Sequence, residues 1–145
     1  MKQFQVLHEI LVKAPVEKVF LVWSDFEHFA ELYPEVYDSV TGYRQGNIVD
    51  TEEVIKTIAG KQQAAIHTLL EPPHRYIREF RGGAMEGSVR TTTFEPASDG
   101  TVVKTHMDVK LGGMAAMLIG DLAETLFTKN LDKLSKAHAA IAESG

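Results

Sequence analysis

The feature that most constrains the fold is a long run of strand-like segments that only short turns interrupt. Between residues 36 and 109 the breaks are clusters of residues that favour turns. These clusters are Arg44-Gln45-Gly46-Asn47, Ala59-Gly60-Lys61, Glu71-Pro72-Pro73-His74, Gly82-Gly83 and Pro96-Ala97-Ser98-Asp99-Gly100. They outline strands near 36–43, 48–58, 62–70, 75–81, 86–94 and 101–109. Because parallel strands need long crossover connections, such short turns predict an antiparallel meander.

Another strand and two short helices precede this run. Residues 4–12 alternate in character and predict the first strand. Pro15 suits the first turn of a helix. The apolar face of that helix would carry Val16, Val19, Phe20 and Trp23. Ser24-Asp25-Phe26-Glu27 has the spacing of a capping box, which predicts a second short helix that ends before Pro34.

The C-terminal part, from about Leu111 to Ala142, is predicted to be one long helix. Its apolar stripe at helical spacing is formed by Ile119, Ala123, Leu126, Asn130, Leu134, Ala137 and Ile141. A helix with so apolar a stripe must pack on the sheet. The length of 145 residues suits a single domain. The sequence therefore predicts one α+β domain over residues 1–145.

Composition and charge exclude several classes of protein. A net charge of −5 argues against nucleic-acid binding, because phosphate contacts need a basic surface. The absence of cysteine removes disulfide scaffolds, thiolate metal sites and cysteine nucleophiles. The first residues lack the apolar segment of a signal peptide, so we expect a cytoplasmic protein. The apolar stretch 111–119 is too short to span a bilayer, so stable membrane insertion is not expected.

Several short sequence motifs match those of a known family. The most specific are Ile10-Leu11-Val12-Lys13-Ala14-Pro15-Val16-Glu17-Lys18-Val19-Phe20, Trp23-Ser24-Asp25-Phe26-Glu27 and Tyr33-Pro34-Glu35-Val36. With them, the chain resembles the START-type (SRPBCC) superfamily, closest to its polyketide-cyclase-like and coenzyme Q-binding branch. The resemblance implies a helix-grip fold, in which a seven-stranded curved antiparallel sheet surrounds a long C-terminal helix.

The resemblance also implies an internal cavity that binds a small hydrophobic molecule, such as a lipid, a quinone or a polyketide-like compound. A cofactor-independent cyclase, aromatase or dehydrase is the first alternative, and a protein-interaction module with a vestigial cavity is the second. No cofactor is expected. No metal site is expected either, because the six histidines show neither an H-x-H nor an H-x-x-x-H pair. The pattern carries no indication of an oligomeric state.

The resemblance implies a cavity that is lined by the inner face of the sheet, the two short helices and the first half of the long helix. The candidate ligand-binding residues are Trp23, Phe29, Tyr33, Tyr76, Arg78, Phe80, Met114, Met117, Leu118 and Leu122. Flexible methionines suit a wall that adapts to different apolar shapes. Tyr76, Arg78 and Phe80 share one strand face. If that face is the inner one, Arg78 could clamp a carboxylate or a quinone oxygen; if it is the outer one, Arg78 is a surface residue.

Candidates for proton transfer are few. His67 and His106 lie in predicted strands and could act as acid or base within a cavity, with Glu52, Glu53 and Glu79 as possible carboxylate partners. Because the chain shows neither a nucleophile motif nor a paired acid and base, we favour a carrier over an enzyme. The polar Asn130 on the apolar stripe is predicted to make a structural hydrogen bond.

Overall fold

In the computed structural model, residues 2–57 and 60–145 are described, and within them seven strands form one antiparallel sheet. The strands are β1 (Lys2–Val12), β2 (Tyr37–Gln45), β3 (Ile48–Thr57), β4 (Gly60–Glu71), β5 (Arg75–Gly83), β6 (Val89–Ala97) and β7 (Gly100–Leu111). Their spatial order is β1-β7-β6-β5-β4-β3-β2, so β2 to β7 form the predicted meander and β1 pairs with its last strand. The predicted strand end at Ile58 and the predicted turn residue Ala59 lie outside the described residues.

The helices are α1 (Val16–Trp23), α2 (Phe29–Leu32), α3 (Gly113–Ile119) and α4 (Ala123–Glu143), with a 3-10 turn over Phe26–His28 before α2. Helix α4 packs across one face of the sheet, which we call the inner face. Two polar contacts tie it to the first strand and its end. His8 Nε2 lies 3.0 Å from Asp132 Oδ1, and the Lys13 amide donates to Glu143 Oε2 at 2.8 Å. This arrangement confirms the predicted helix-grip fold.

None of the helices within the described residues combines the length and the hydropathy that crossing a bilayer requires.

The predicted capping box is wrong, although the short helices are present. The Ser24 hydroxyl donates to the Phe20 carbonyl at 2.7 Å and so closes the end of α1 instead of beginning a second helix. The Glu27 carboxylate accepts two hydrogen bonds from the Arg44 guanidinium on β2, at 2.6 and 2.9 Å. A distant arginine offers the carboxylate a charged donor, which a backbone amide cannot match.

The predicted single C-terminal helix is also wrong, because residues 120–122 form a turn between α3 and α4. The amides of Leu122 and Ala123 donate to the carbonyls three residues earlier, at 2.9 and 3.4 Å, which tightens the chain. Glycine is a poor helix former in a helix interior. A Cβ on Gly120 would lie 2.4 Å from the Ala116 carbonyl oxygen, so this close backbone contact requires glycine. The apolar stripe continues across the break, and periodicity therefore could not reveal it.

One predicted turn is a continuation of a strand. Strand β5 runs through Gly82 to Gly83, and the turn follows over residues 84–87, so β6 begins at Val89 and not at residue 86. Gly83 has φ +95°, and a Cβ there would lie 1.9 Å from the Gln63 carbonyl oxygen. The pairing of β4 with β5 shifts register between Ala65 and Ile66. Glycine thus lets the strand pass an irregularity in the sheet.

Buried side chains between the sheet and the helices form two clusters. The packed end is centred on the aromatic side chains of Phe20, Trp23, Phe26, Phe29, Tyr76 and Phe94. The open end is centred on Val6, Ala64, Ile66, Phe80, Met107 and Leu131. Helix α4 contributes to both clusters, and the two ends therefore share one sheet and one helix.

Candidate functional site

A cavity of about 540 Å³ lies at the open end, between the inner face of the sheet and α4. Most of its wall is apolar, with side chains from β1, β5, β7, α3 and α4 that include Val6, Phe80, Met107, Ile119, Phe127 and Leu131. The volume is within the range of roughly 300–1,000 Å³ that is usual for small-molecule sites. The cavity is thus large enough to enclose a small apolar molecule.

Short side chains explain why this space stays unfilled. Three alanines line the cavity: Ala64 on β4, Ala84 in the turn after β5, and Ala137 on α4. Large side chains elsewhere in the interior set the distance between the sheet and the helix. The methyl group of an alanine is too short to fill that distance. The cavity is therefore specified by the sequence at a few small residues.

The cavity wall includes a buried ion pair. Arg78 on β5 and Glu53 on β3 are each 1 % exposed, and Nη2 of the arginine lies 2.5 Å from Oε2 of the carboxylate. The arginine also donates to the Thr68 and Thr51 hydroxyls at 3.1 and 3.3 Å, and its guanidinium lies 3.9 Å from the centre of the Phe26 ring. The inner face is thus the face of Arg78, but much of the hydrogen-bonding capacity of this arginine is already used.

A second arginine, Arg90 on β6, lies directly opposite Arg78 in the strand pairing and also lines the cavity. Its Nη2 donates only weakly, to the Met107 sulfur at 3.5 Å. Its buried Nε–H has no hydrogen-bond partner within the described chain. Sequence reasoning missed Arg90, because the pairing of Arg78 with Arg90 becomes visible only when the strand register is known.

Tyr33 and His138 form a buried hydrogen bond at the cavity edge. The Tyr33 hydroxyl lies 2.5 Å from His138 Nδ1, and Tyr33 lines the cavity. Burial, assisted by the Asp25 charge, raises the pKa of Tyr33 to about 12. Burial, assisted by the Arg90 charge, lowers the pKa of His138 to about 3. Near pH 7 both groups are therefore neutral, and one hydrogen bond joins the phenol and the imidazole.

Sequence reasoning also missed His138, which is on α4 and not on a strand. Its ring packs 4.8 Å from that of Trp23 and 5.0 Å from that of Phe29. A signal was present, because His138 follows Leu134 by four residues and so lies beside the apolar stripe of the helix.

Three of the predicted ligand-binding residues lie in the cavity wall: Tyr33, Arg78 and Phe80. Asn130 on α4 is there as well. The sequence predicted a structural hydrogen bond for the Asn130 side chain, but within residues 2–57 and 60–145 this side chain makes none. Tyr33 and Phe80 approach the cavity from different sides, one after α2 and the other on β5.

Three other candidates lie in the packed end. Trp23, Phe29 and Tyr76 are at most 4 % exposed and contact other aromatic rings rather than the cavity. Tyr76, for example, has its ring centre 5.4 Å from that of Phe26. These side chains support the cavity indirectly, and direct contact with a ligand stays a prediction for them.

The last four candidates lie on or beside α3 and are exposed. Met114, Met117, Leu118 and Leu122 expose 58–84 % of their surface and are not part of the cavity wall. Among the α3 side chains that the structure describes, Ile119 lines the cavity, and Leu111 before the helix does so as well. The turn over residues 120–122 separates this short helix from α4, whose side chains form part of the wall. A contribution of these four side chains to ligand binding stays a prediction.

The predicted acid–base candidates lie on the outer face of the sheet. His67 Nδ1 lies 2.6 Å from Asp50 Oδ1, and His106 Nε2 lies 3.4 Å from Gln5 Oε1. Neither histidine is part of the cavity wall. Of the carboxylates, Glu53 is the inward one, and it pairs with Arg78. Within residues 2–57 and 60–145, no three histidine or acidic side chains come together as a metal site requires.

Comparison with known proteins gives a family and a fold. The model of the family described as polyketide cyclase / dehydrase and lipid transport matches residues 3–139. Among curated proteins, no sequence matches significantly.

Solved structures with the same fold include proteins of different kinds. TTHA0849 from Thermus thermophilus is 21 % identical over 97 % of this chain and 100 % of its own, with a TM-score of 0.83. The Zhui aromatase/cyclase from Streptomyces sp. R1128 is 15 % identical over 97 % and 94 %, with a TM-score of 0.76. Norcoclaurine synthase from Thalictrum flavum is 14 % identical over 99 % and 88 %, with a TM-score of 0.72. At these identities the likeness concerns the fold.

Proposed function

This chain belongs to the polyketide cyclase/dehydrase and lipid-transport family, and we propose that it binds or carries a small, largely apolar molecule in its internal cavity. The observation that carries the proposal is the cavity of about 540 Å³ with its mainly apolar wall. Removing an apolar molecule from water into such a wall is favourable in proportion to the apolar surface buried. Binding therefore needs nothing beyond what the wall supplies.

The polar groups of the wall support binding more than catalysis. A proton-transfer catalyst needs a group whose pKa lies near the working pH. The pKa values of Tyr33 and His138 are far from neutrality, at about 12 and about 3. The buried carboxylate of Glu53 is held by Arg78 at 2.5 Å and by the Thr51 hydroxyl at 2.7 Å. These groups suit the positioning of a ligand.

Filling the cavity tests the proposal. Leu134 on α4 lines the cavity, and Leu134→Trp places an indole in the space that a ligand would occupy. We expect the affinity for N-phenyl-1-naphthylamine, a neutral apolar fluorescent probe, to fall at least about fivefold, since the indole takes up volume that the probe needs and a closely packed interior adjusts little. Leu21→Trp is the matched control, because Leu21 on α1 is 68 % exposed. Equal probe affinity in both variants, with both folded by circular dichroism, would show that the probe binds elsewhere.

The class of ligand is open to a direct measurement. We propose a lipid, a quinone or a polyketide-like compound, in line with the family to which the chain belongs. Native mass spectrometry of freshly purified protein is expected to show an additional mass that is released on activation, and that mass separates the three classes. The same mass retained in Leu134→Trp would place the molecule outside the cavity.

A cofactor-independent cyclase, aromatase or dehydrase is the second candidate. It is favoured by the Tyr33 hydroxyl, which His138 holds at the cavity edge, and by the likeness to an aromatase/cyclase. If it is correct, the protein converts a linear polyketide analogue, and Tyr33→Phe abolishes turnover while ligand affinity is kept. His67→Ala and His106→Ala are the controls, because both histidines lie outside the wall. A carrier shows no turnover in any of these proteins.

A further inference from the structure

We propose that Arg90 is the anchor for an anionic group, so that the ligand is an acid with an apolar body, of the kind that a medium-chain carboxylate represents. The inference rests on the proposed function, because it assumes that the cavity binds a ligand at all. It concerns the recognition of one end of that ligand by the charged groups in and around the wall.

The two arginines of the wall differ in what they contact. Arg78 has the Glu53 carboxylate at 2.5 Å and two threonine hydroxyls within 3.3 Å. Arg90 has no carboxylate within ion-pair distance in the described ranges, and the one contact of its Nη2 is a thioether, a weak acceptor. Among the described residues Glu53 is the buried carboxylate, and it pairs with Arg78, so the half-buried guanidinium of Arg90 has no ion-pair partner in the cavity wall.

The hydrogen bonding of the Arg90 guanidinium is incomplete, which also favours an anionic partner for this side chain. Buried Nε–H groups of arginine are normally satisfied, and the Nε–H of Arg90 is the buried polar side-chain atom of the described chain that has no partner. A guanidinium presents its donors in a planar fork that matches the two oxygens of a carboxylate. The Nε–H itself is covered by protein, so a ligand in the cavity would meet the outer amino groups of the guanidinium. An anion there would balance the charge of Arg90, which a neutral hydroxyl cannot.

Other ionisable groups near the cavity do not replace Arg90. Lys56, Lys133 and Glu35 also line the cavity, but all three are largely exposed, so water screens their charges. Lys56 is already engaged, since its Nζ donates to the Pro34 carbonyl at 2.8 Å. Burial is the main cause of the lowered pKa of His138 on α4, and the positive charge of Arg90 adds to it. Of the positively charged side chains in the wall that lack a carboxylate partner, Arg90 is therefore the one best placed to bind an anionic group of the ligand.

Competition with the bound probe tests the inference. N-phenyl-1-naphthylamine is displaced with decanoate, with methyl decanoate and with decan-1-ol at pH 7.5, where decanoate is ionised. We expect decanoate to compete at least about tenfold better than either neutral compound in the wild-type protein, because a charge-assisted hydrogen bond is the stronger kind. Equal competition by methyl decanoate would mean that the site takes a carbonyl oxygen, which contradicts the proposal.

Variants assign the preference to a residue. Arg90→Met keeps much of the side-chain length and is expected to lose the preference for decanoate while decan-1-ol binds as before. Arg90→Lys keeps the charge without the fork and should retain part of the preference, which guards against a folding defect in Arg90→Met. Lys136→Met is the control for loss of a positive charge outside the cavity wall, since Lys136 lies on the exposed side of α4, and it should leave the preference unchanged. If Arg90→Met and Arg90→Lys both discriminate as well as wild type, the anchor is not Arg90.

The outcomes also separate this inference from the proposed function. If the probe itself fails to bind the wild-type protein, the proposed function fails. If the probe binds and the acid and alcohol displace it equally well, the carrier proposal stands and only the anionic anchor is wrong.

Discussion

The packed end and the open end lie under the same helix and on the same sheet, yet rings fill one and a cavity remains in the other. At the packed end, Phe94 has its ring centre 5.1 Å from that of Phe20, within the usual range for aromatic contacts. At the open end, the corresponding space is bordered by methyl groups such as those of Ala64 and Ala84. The shared sheet and helix leave room for a cavity, whereas side-chain volume decides where it forms.

Removing one large side chain from each end should give the largest difference. Phe94→Ala is expected to cost about 3–5 kcal/mol in the free energy of unfolding, because close-packed rings cannot collapse into the void. Phe80→Ala should cost clearly less, because Phe80 already borders a cavity and loses fewer contacts. Urea denaturation of both variants measures the two values. Equal costs would contradict the division into a packed and an open end.

The ion pair between Glu53 and Arg78 tests how polar groups are held beside the cavity. Glu53→Met leaves a buried guanidinium without its carboxylate and should cost about 3 kcal/mol. The double variant Glu53→Met, Arg78→Met removes both charges and should recover most of that loss, as replaced buried ion pairs often do. If the double variant is no more stable than the single one by denaturant unfolding, the pair has a role in packing that its charges do not explain.

The Tyr33–His138 pair should make stability depend on pH. His138 has a pKa of about 3 in the folded protein against an ordinary value of 6.5, so the unfolded chain binds the proton more tightly. Stability is therefore full above pH 6.5 and falls as the pH is lowered. The loss should reach roughly 2–3 kcal/mol at about pH 4.5.

The matched variant for this prediction is His138→Asn, which keeps a hydrogen-bonding side chain beside the Tyr33 hydroxyl but does not titrate. Protonation of other groups also reduces the stability of the folded protein over the same pH range. One of them is Glu27, because the hydrogen bond from Arg44 lowers the pKa of its carboxyl group. These groups are common to both proteins. The difference between the two pH profiles isolates the histidine. Parallel profiles would mean that His138 is accessible to protons in the folded state.

The smallest effect is expected at α3. Leu118 is 61 % exposed and not part of the cavity wall, so Leu118→Trp should change probe affinity less than about twofold. The lining role predicted from the sequence requires a clear loss of uptake instead. Fluorescence titration beside Leu134→Trp distinguishes the two, and a loss as large as that of Leu134→Trp would extend the cavity wall to α3.

Periodicity and turn residues predicted the strands well because they are local properties of the sequence. The meander and the short helices after Pro15 needed no knowledge of distant residues. Hydrophobic periodicity did not predict the helix break at Gly120, because the apolar stripe continues across it.

The site was harder to predict because it depends on which residues become neighbours. Period 2 placed Tyr76, Arg78 and Phe80 on one face but could not say which face is inside. The uncompensated charge of Arg90 depends on its position opposite Arg78 and on the carboxylate of Glu53, which comes from another strand. Such relations appear only when the register and the packing are known.

The most direct test of the division into two ends is a methyl NMR titration of the wild-type protein with N-phenyl-1-naphthylamine. With labelled valine and leucine methyl groups, we predict that chemical shifts change at Val6 and Leu134 in the cavity wall and stay constant at Val19 and Val103 in the packed end. That result would place an apolar ligand in the cavity that the small residues leave open. Changes that are largest at Val19 and Val103, or confined to the exposed Leu118, would contradict the account.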